Sequence, residues 1–167
     1  LGLLHPHLFT PTGRYPAGDP HTIWVLSPGD IPTTDIYIRT RLQSRPDLAV
    51  RYIDTRRERP PTTANAPAGA FIIIVRYAPA PWRRYLRTHQ QTLAGAALLL
   101  DDDLPDAFSD PALPLRYAAK TAWRYARGRH DLAELCEAIW VSTPGLQQKY
   151  PQVTTRLVPP LYVGRPT

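Results

Sequence analysis

The side chains best suited to chemistry in this sequence are three consecutive carboxylates, Asp101, Asp102 and Asp103. They follow an apolar run, residues 98–100, that is typical of a strand buried on both faces, and they precede a turn-forming Leu-Pro-Asp. Adjacent carboxylates repel one another, so the pattern favours contact with a cation or with sugar hydroxyls, or a role in proton transfer. A solvated, acidic helix start is the structural alternative, because aspartate is favoured near helix N-termini.

Two further groups of candidate binding residues follow other predicted strands. Gly29 and Asp30 lie in a turn after the first strand, whereas Arg76 and Tyr77 come directly after the strongest apolar run, residues 70–75. In open α/β sheets, ligands bind outside the carboxyl ends of the strands at a topological switch point. We therefore expect these side chains and the three aspartates at one cleft. There Arg76 either holds a phosphate or carboxylate bidentately or pairs with the aspartates.

A fourth group consists of basic residues on one predicted helix, residues 115–127. Cations recur along it at spacings of four, four and three residues, namely Arg116, Lys120, Arg124 and Arg127. We call this set the basic ridge. Such a ridge is typical of a solvated helix face, and it also suits an anionic membrane surface or an acidic protein.

The elements that must position these residues alternate between strand and helix. Apolar runs predict about six strands, one of which ends at Leu100; the others cover residues 22–26, 48–53, 70–75, 138–141 and 154–158. Helical spacing predicts helices over residues 35–43, 82–94 and 115–127. This alternation indicates an α/β fold, a Rossmann-like, doubly wound, mostly parallel sheet with helices on both faces.

Local signals also predict where the helices begin and end. Thr33 or Thr34 is expected to cap the first helix, and Ser142 and Thr143 are expected to cap the helix that starts at Pro144. Gly128 is predicted to end the helix of the basic ridge. A capping-box-like pair, Asp131 and Glu134, is predicted to start a further helical piece.

Composition bounds the domain organisation and the class of protein. Twenty prolines cluster at the termini and between the apolar runs, which predicts a Pro-rich leader over residues 1–20, a Rossmann-like domain over 21–160 and a tail or linker over 161–167. The single cysteine, Cys136, excludes an internal disulfide framework and fits a reducing, cytoplasmic compartment.

The charge and the missing motifs exclude several functions. A net charge of +6 suits an anionic partner, but the basic residues lack the interleaved aromatic residues of a nucleic-acid platform, so no nucleic-acid partner is expected. The first predicted strand is followed by Ser-Pro-Gly-Asp instead of Gly-x-Gly-x-x-Gly, which excludes the usual dinucleotide fingerprint. Neither a phosphate-binding Gly-x-x-x-x-Gly-Lys-Ser/Thr loop nor a Gly-x-Ser-x-Gly elbow occurs. No metal site is predicted.

From Thr22 onward, the chain resembles the N-terminal, acceptor-side domain of two-domain (GT-B) bacterial glycosyltransferases. Three pieces carry the resemblance: the apolar run into the aspartates at 98–104, the strand with its Ser-Thr-Pro-Gly-Leu ending at 138–146, and Arg-Leu-Val-Pro-Pro at 156–160. Two features depart from the family pattern. Its Gly-rich loop is represented by Gly29 alone, and its final asparagine is replaced by Pro160.

The resemblance implies transfer of a sugar from a nucleotide-diphosphate sugar to an acceptor hydroxyl. Asp101, Asp102 and Asp103 would then be catalytic, and the residues of the two strand-end groups would bind substrate. It implies no cofactor bound by this domain. It implies as partners a C-terminal nucleotide-binding domain or partner subunit and a sugar or lipid acceptor, with peripheral contact at the inner membrane face.

Two alternatives stay open. The three aspartates also resemble the manganese-binding Asp-x-Asp motif of the other glycosyltransferase architecture, in which the metal anchors the donor diphosphate. The second alternative is a non-enzymatic, Rossmann-like binding module whose working surface is the basic ridge.

Overall fold

Six parallel strands form one sheet in the computed structural model of the protein, which describes residues 8–16, 18–62 and 68–160. The spatial order of the strands is β2-β1-β3-β4-β5-β6, and every neighbouring pair is parallel. The strands are β1 (Thr22–Ser27), β2 (Ala49–Asp54), β3 (Ala70–Val75), β4 (Gly95–Leu100), β5 (Ala138–Val141) and β6 (Thr155–Leu157). The predicted fold class, a Rossmann-like α/β fold, is confirmed.

Helical segments connect most of these strands. A π-helical turn, Thr34–Arg39, leads into α1 (Thr40–Gln43), and α2 (Ala80–Thr88), α3 (Leu115–Leu135) and α4 (Pro144–Lys149) follow. Short 3₁₀ turns cover Gln90–Thr92 and Leu104–Ser109. The second helix ends earlier than predicted, because the chain tightens into the first of these 3₁₀ turns before β4.

The sheet buries both of its faces, but it does so unequally. On one face, Leu26, Ile72 and Leu98 pack in a core that also includes Trp82 of α2 and Leu132 of α3. On the other face, alternate residues of the same strands form a smaller core with the π-helical turn and α1; its buried members are Ile23, Val25, Ile38, Ile73, Val75 and Leu99. This alternation follows from the two-residue side-chain period of a strand.

The prediction that Gly128 ends the ridge helix was wrong. Helix α3 runs without a break from Leu115 to Leu135. Gly128 is buried, and a Cβ there would lie 3.5 Å from the Arg83 side chain of α2, so the glycine lies at a helix–helix contact. A glycine in a helix interior costs only about 1 kcal/mol relative to alanine, which does not prevent α3 from continuing through it.

Asp131 and Glu134 do not begin a helix either. They lie inside α3 and pair with arginines of α2: Asp131 accepts from Arg83 Nε at 3.0 Å, and Glu134 accepts from Arg87. The capping-box prediction was wrong because its two carboxylates serve the contact between helices.

The N-terminal segment packs against α3. Leu8 and Phe9 are buried in the larger core, and the amide of Gly13 donates to the carbonyl of Cys136 at 2.9 Å. A Cβ at Gly13 would lie 2.5 Å from the Leu135 carbonyl oxygen, so only glycine allows this close approach. Residues 1–7 and 17 of the predicted leader and the predicted tail 161–167 lie outside the described residues.

Candidate functional site

The strand order places a switch point at the carboxyl ends of β1 and β3. The chain passes from β1 to β2 on one side and then to β3 on the other, so the connections after these two strands diverge. Register pairs Leu26 with Ile74 and Val75 with Leu99. The residues that follow these strands, Arg76 and Asp101 among them, therefore lie along one edge of the sheet.

Arg76 turns sharply out of β3 and reaches toward β4. Its φ is +66°, and it is the one non-glycine residue with a positive φ among the described residues. The left-handed conformation costs roughly 1–2 kcal/mol for a side chain with a Cβ. Its guanidinium donates from Nε and Nη2 to the two carboxylate oxygens of Asp101, at 2.8 and 2.7 Å. The ion pair stabilises this strained backbone, and of the two expected roles the geometry shows pairing with the aspartates.

Thr33 completes the environment of Asp101. Its hydroxyl donates to Asp101 Oδ2 and accepts from Arg76 Nη2 at 3.1 Å. The prediction that Thr33 or Thr34 caps the first helix was wrong: the Thr33 side chain makes no capping bond, and Thr34 donates to Ser27 Oγ at 3.0 Å. Burial alone would raise the pKa of Asp101, but the hydrogen bonds from Arg76 and Thr33 outweigh it and lower that pKa.

Ser142 and Thr143 have different roles at the start of α4. Ser142 Oγ donates to the carbonyl oxygen of Asp101 at 3.1 Å, which joins the end of β5 to the end of β4. Thr143 accepts from the Leu146 amide, so the predicted cap is confirmed for Thr143 alone.

The side chains of the three aspartates lie in different environments. The side chains of Asp101, Asp102 and Asp103 are 10 %, 64 % and 26 % exposed. Asp103 accepts from Lys149 Nζ and from the Tyr150 hydroxyl. Asp102 lies 3.2 Å from Arg76 Nη2 and projects furthest into solvent.

Asp102 also differs from its neighbours in its proton affinity. Partial burial of the carboxyl, together with the negative charge of Asp101, raises its pKa, and Arg76 offsets this only in part. A carboxylate of this kind holds a proton more readily than an isolated one.

A hollow of about 300 Å³ lies beside the aspartates at the carboxyl edge. We call it the acidic hollow, and its charged lining residues are Asp102, Asp103, Asp106, Asp110 and Lys149. Lys149 also donates to Asp106, at 2.5 Å. Tyr117 and Thr121 belong to the same lining. Within the described residues, no group of three or more histidine, cysteine or acidic side chains is arranged to hold a metal ion.

The other predicted binding residues lie in two separate hollows. Gly29, whose φ is +106°, and Asp30 line a depression of about 380 Å³ on the β2 side of the switch point, together with Asp54 and Glu58. Tyr77 lines another hollow, of about 280 Å³, and accepts from Arg124 Nη1 at 2.8 Å. The structure thus brings Arg76 together with Asp101 and Asp102, but it does not bring Gly29, Asp30 or Tyr77 into the acidic hollow.

The basic ridge is divided as well. Arg124 and Arg127 line a hollow with Tyr77 and Trp123, whereas Arg116 and Lys120 are exposed outside it. The structure therefore places the four residues of the predicted ridge in two different settings, one inside this hollow and one outside it.

Several residues of this edge were missed by sequence reasoning. Thr33 carried a usable signal, because it lies in the connection after β1, as Gly29 and Asp30 do. Lys149 and Tyr150 carried none, since they reach Asp103 from the far end of α4. Their contribution depends on tertiary packing.

Comparison with protein-family models, with curated proteins and with solved structures found no match to this chain. In the part of the chain that the structure describes, no helix is both long enough and apolar enough to cross a bilayer.

Proposed function

We propose that this protein is the acceptor-binding half of a glycosyltransferase that uses a nucleotide-diphosphate sugar as donor. The observation that carries the proposal is the position of Asp102. Its carboxylate is 64 % exposed at the carboxyl edge of the sheet, it lines the acidic hollow, and its pKa is raised. Because Asp101 is engaged by Arg76, and Asp103 by Lys149 and Tyr150, Asp102 is the member of the run most open to a ligand.

A carboxylate with a raised pKa suits the acceptor side of glycosyl transfer. Asp102 accepts a hydrogen bond from the acceptor hydroxyl. It takes the hydroxyl proton as that oxygen bonds to the anomeric carbon and the nucleoside diphosphate leaves. The transition state carries positive charge on the sugar ring, and the net negative charge of the acidic hollow, four carboxylates against Lys149, favours it. Asp101 acts as a positioning residue, because it holds Arg76 in place beside Asp102.

The positions of the three sequence pieces that resemble GT-B glycosyltransferases support this proposal. The aspartates follow β4, the Ser-Thr-Pro piece links β5 to α4, and β6 leads into Pro159 and Pro160. All three pieces thus lie at or beside the carboxyl edge, where open α/β sheets bind ligands. The donor would be held by a second, nucleotide-binding half or partner subunit, so this chain by itself is expected to bind acceptor without turning it over.

The experiment that tests this function is acceptor binding by the whole chain. The protein is applied to an array of immobilised sugars and sugar lipids, and any hit is quantified by calorimetry for the wild type, Asp102→Asn and Glu137→Gln. Glu137 is the matched control, since its carboxyl precedes β5 at the opposite end of the strand and its pKa is also raised, by burial.

We expect Asp102→Asn to weaken acceptor binding by about tenfold or more, since one hydrogen bond to a charged group is lost. Glu137→Gln should bind as the wild type does. Failure of the folded protein to bind any sugar, or equal binding by Asp102→Asn and wild type, would overturn the proposal.

A further inference from the structure

A second hollow at the carboxyl edge is basic and lies apart from the aspartates. It encloses about 280 Å³ beside the ends of β2 and β3. We call it the basic hollow, and its side chains include Arg56, Tyr77, Arg83, Trp123, Arg124 and Arg127. None of the described residues that line it is acidic. Four guanidinium groups around one cavity create a strongly positive potential there.

Most of this positive charge is unneutralised. Arg83 pairs with Asp131 at 3.0 Å and donates to the Ala78 carbonyl at 2.6 Å. Arg56, Arg124 and Arg127 form no ion pair with any carboxylate among the described residues. Three arginines that share a hollow without a carboxylate repel one another, and an anion bound between them would relieve this repulsion.

Two of these arginines are held in position by aromatic side chains. The Arg124 guanidinium lies 4.9 Å from the centre of the Tyr77 ring and donates to the Tyr77 hydroxyl at 2.8 Å. The Arg127 guanidinium lies 4.6 Å from the Trp123 ring. Such contacts restrict the side chains before a ligand arrives, so less conformational entropy is lost on binding.

The N-terminus of α2 lies beside the same cavity. Pro79 and Ala80 line it, and Pro79 offers no side-chain capping bond. Pro79 and Pro81 carry no amide hydrogen, so the donors of this first turn that no side-chain cap satisfies are the Ala80 and Trp82 amides. Helix N-termini favour anions, so the start of α2 adds to the positive potential that the arginines create.

We propose that the basic hollow binds the diphosphate group of a small organic ester. Planar guanidinium groups recognise phosphate oxygens bidentately, which suits a ligand with several such oxygens. Trp123 is 58 % exposed beside the arginines, so the esterified group can lie against its open surface. The site requires neither Asp102 nor glycosyl transfer, and it therefore stands independently of the proposed function.

The test measures binding of inorganic pyrophosphate to the whole chain by calorimetry at low ionic strength. Arg56→Gln and Arg124→Gln probe the hollow from two different elements. Arg116→Gln is the matched control, because Arg116 lies on the same helix as Arg124 but outside the hollow. Circular dichroism checks that each variant is folded, and Arg56→Gln changes an exposed side chain outside the helices and strands.

We expect each hollow variant to weaken pyrophosphate binding by about tenfold, whereas the control changes it by less than about twofold. Salt should weaken binding to the wild type. No binding at millimolar pyrophosphate would overturn the proposal. So would equal losses in Arg116→Gln and Arg124→Gln, because that result assigns the binding to the ridge as a whole.

A second arm identifies the source of the diphosphate. The protein is sedimented with vesicles that contain a lipid-linked diphosphate, and with vesicles of phosphatidylglycerol alone. Selective binding to the former that pyrophosphate displaces assigns the hollow to a lipid-linked ester. Pyrophosphate binding without selective vesicle binding assigns it to a soluble ester. Vesicle binding that Arg116→Gln and Lys120→Gln reduce contradicts the proposal if pyrophosphate does not bind to the protein.

Discussion

Arg76 and Asp101 form a bidentate ion pair between the ends of β3 and β4, with Nε–Oδ1 and Nη2–Oδ2 distances of 2.8 and 2.7 Å. Their side chains are 22 % and 10 % exposed, so the pair is shielded from solvent. It holds a left-handed residue in place and engages one of three adjacent carboxylates. Asp102 thereby remains open at the same edge.

Asp101→Asn should lower the free energy of unfolding by about 2 kcal/mol at neutral pH, because Arg76 loses its bidentate charged partner in a mostly buried position. Urea unfolding of both proteins measures the difference. Asp47→Asn is the control, since Asp47 forms an exposed ion pair with Arg45. If the two variants were equally stable, Asp101 would have no structural role.

The same pair predicts a pH dependence. The pKa of Asp101 lies below its usual value of 3.8, so its stabilising contribution is complete above that value and is lost as the pH falls through the folded-state pKa. The stability difference between wild type and Asp101→Asn should therefore be constant near neutral pH and shrink below about pH 3.8. Unfolding at a series of acidic pH values and constant salt tests this, and a difference that stays constant would contradict it.

Arg76→Gly should be more stable than Arg76→Ala by about 1 kcal/mol, although both lose the ion pair. Alanine retains the strain of a φ of +66°, whereas glycine adopts this conformation freely. Gly69→Ala measures the backbone strain alone, because Gly69 has a φ of +72° and no atom lies within 4 Å of the position that an added Cβ would occupy. Thermal unfolding of the three variants gives the comparison. Equal stability of the glycine and alanine variants would show that Arg76 is unstrained.

Gly13→Ala should destabilise the protein by about 2 kcal/mol, because the new methyl group would overlap the Leu135 carbonyl. Gly18→Ala is the matched control: no atom lies within 4 Å of its Cβ position, and its stability should change little. Unfolding measurements compare the two, and hydrogen exchange at the Thr12 and Gly13 amides reports whether the N-terminal segment detaches from α3. Wild-type stability of Gly13→Ala would show that this segment contributes little.

Cys136 should react slowly with thiol reagents in the folded protein. It is fully buried, and burial raises the pKa of its thiol, so little reactive thiolate is present. We expect the modification rate to rise by about a hundredfold or more on unfolding in guanidinium, because reaction of the native protein requires local opening. A fast reaction without denaturant would show that the segment around Cys136 opens readily.

Much of the fold could be predicted because its signals are local. The predicted strands at residues 70–75 and 138–141 have the bounds that the structure shows, and the alternation with helices indicated a parallel sheet. The predictions that failed concern residues with long-range partners. Gly128 packs against Arg83 of α2, and Asp131 forms an ion pair with the same arginine. Thr33 donates a hydrogen bond to Asp101.

The sequence by itself determined the α/β fold class and the placement of Asp101, Asp102, Asp103 and Arg76 at the carboxyl edge, because apolar runs mark where the strands end and the carboxyl ends of parallel strands lie at one edge of the sheet. Only the tertiary structure decided which aspartate is open, which arginines share a hollow, and that Arg76 is left-handed. The partners of the aspartates lie 25 and 46 residues away along the chain. Their pairing depends on distances in space that no local pattern encodes.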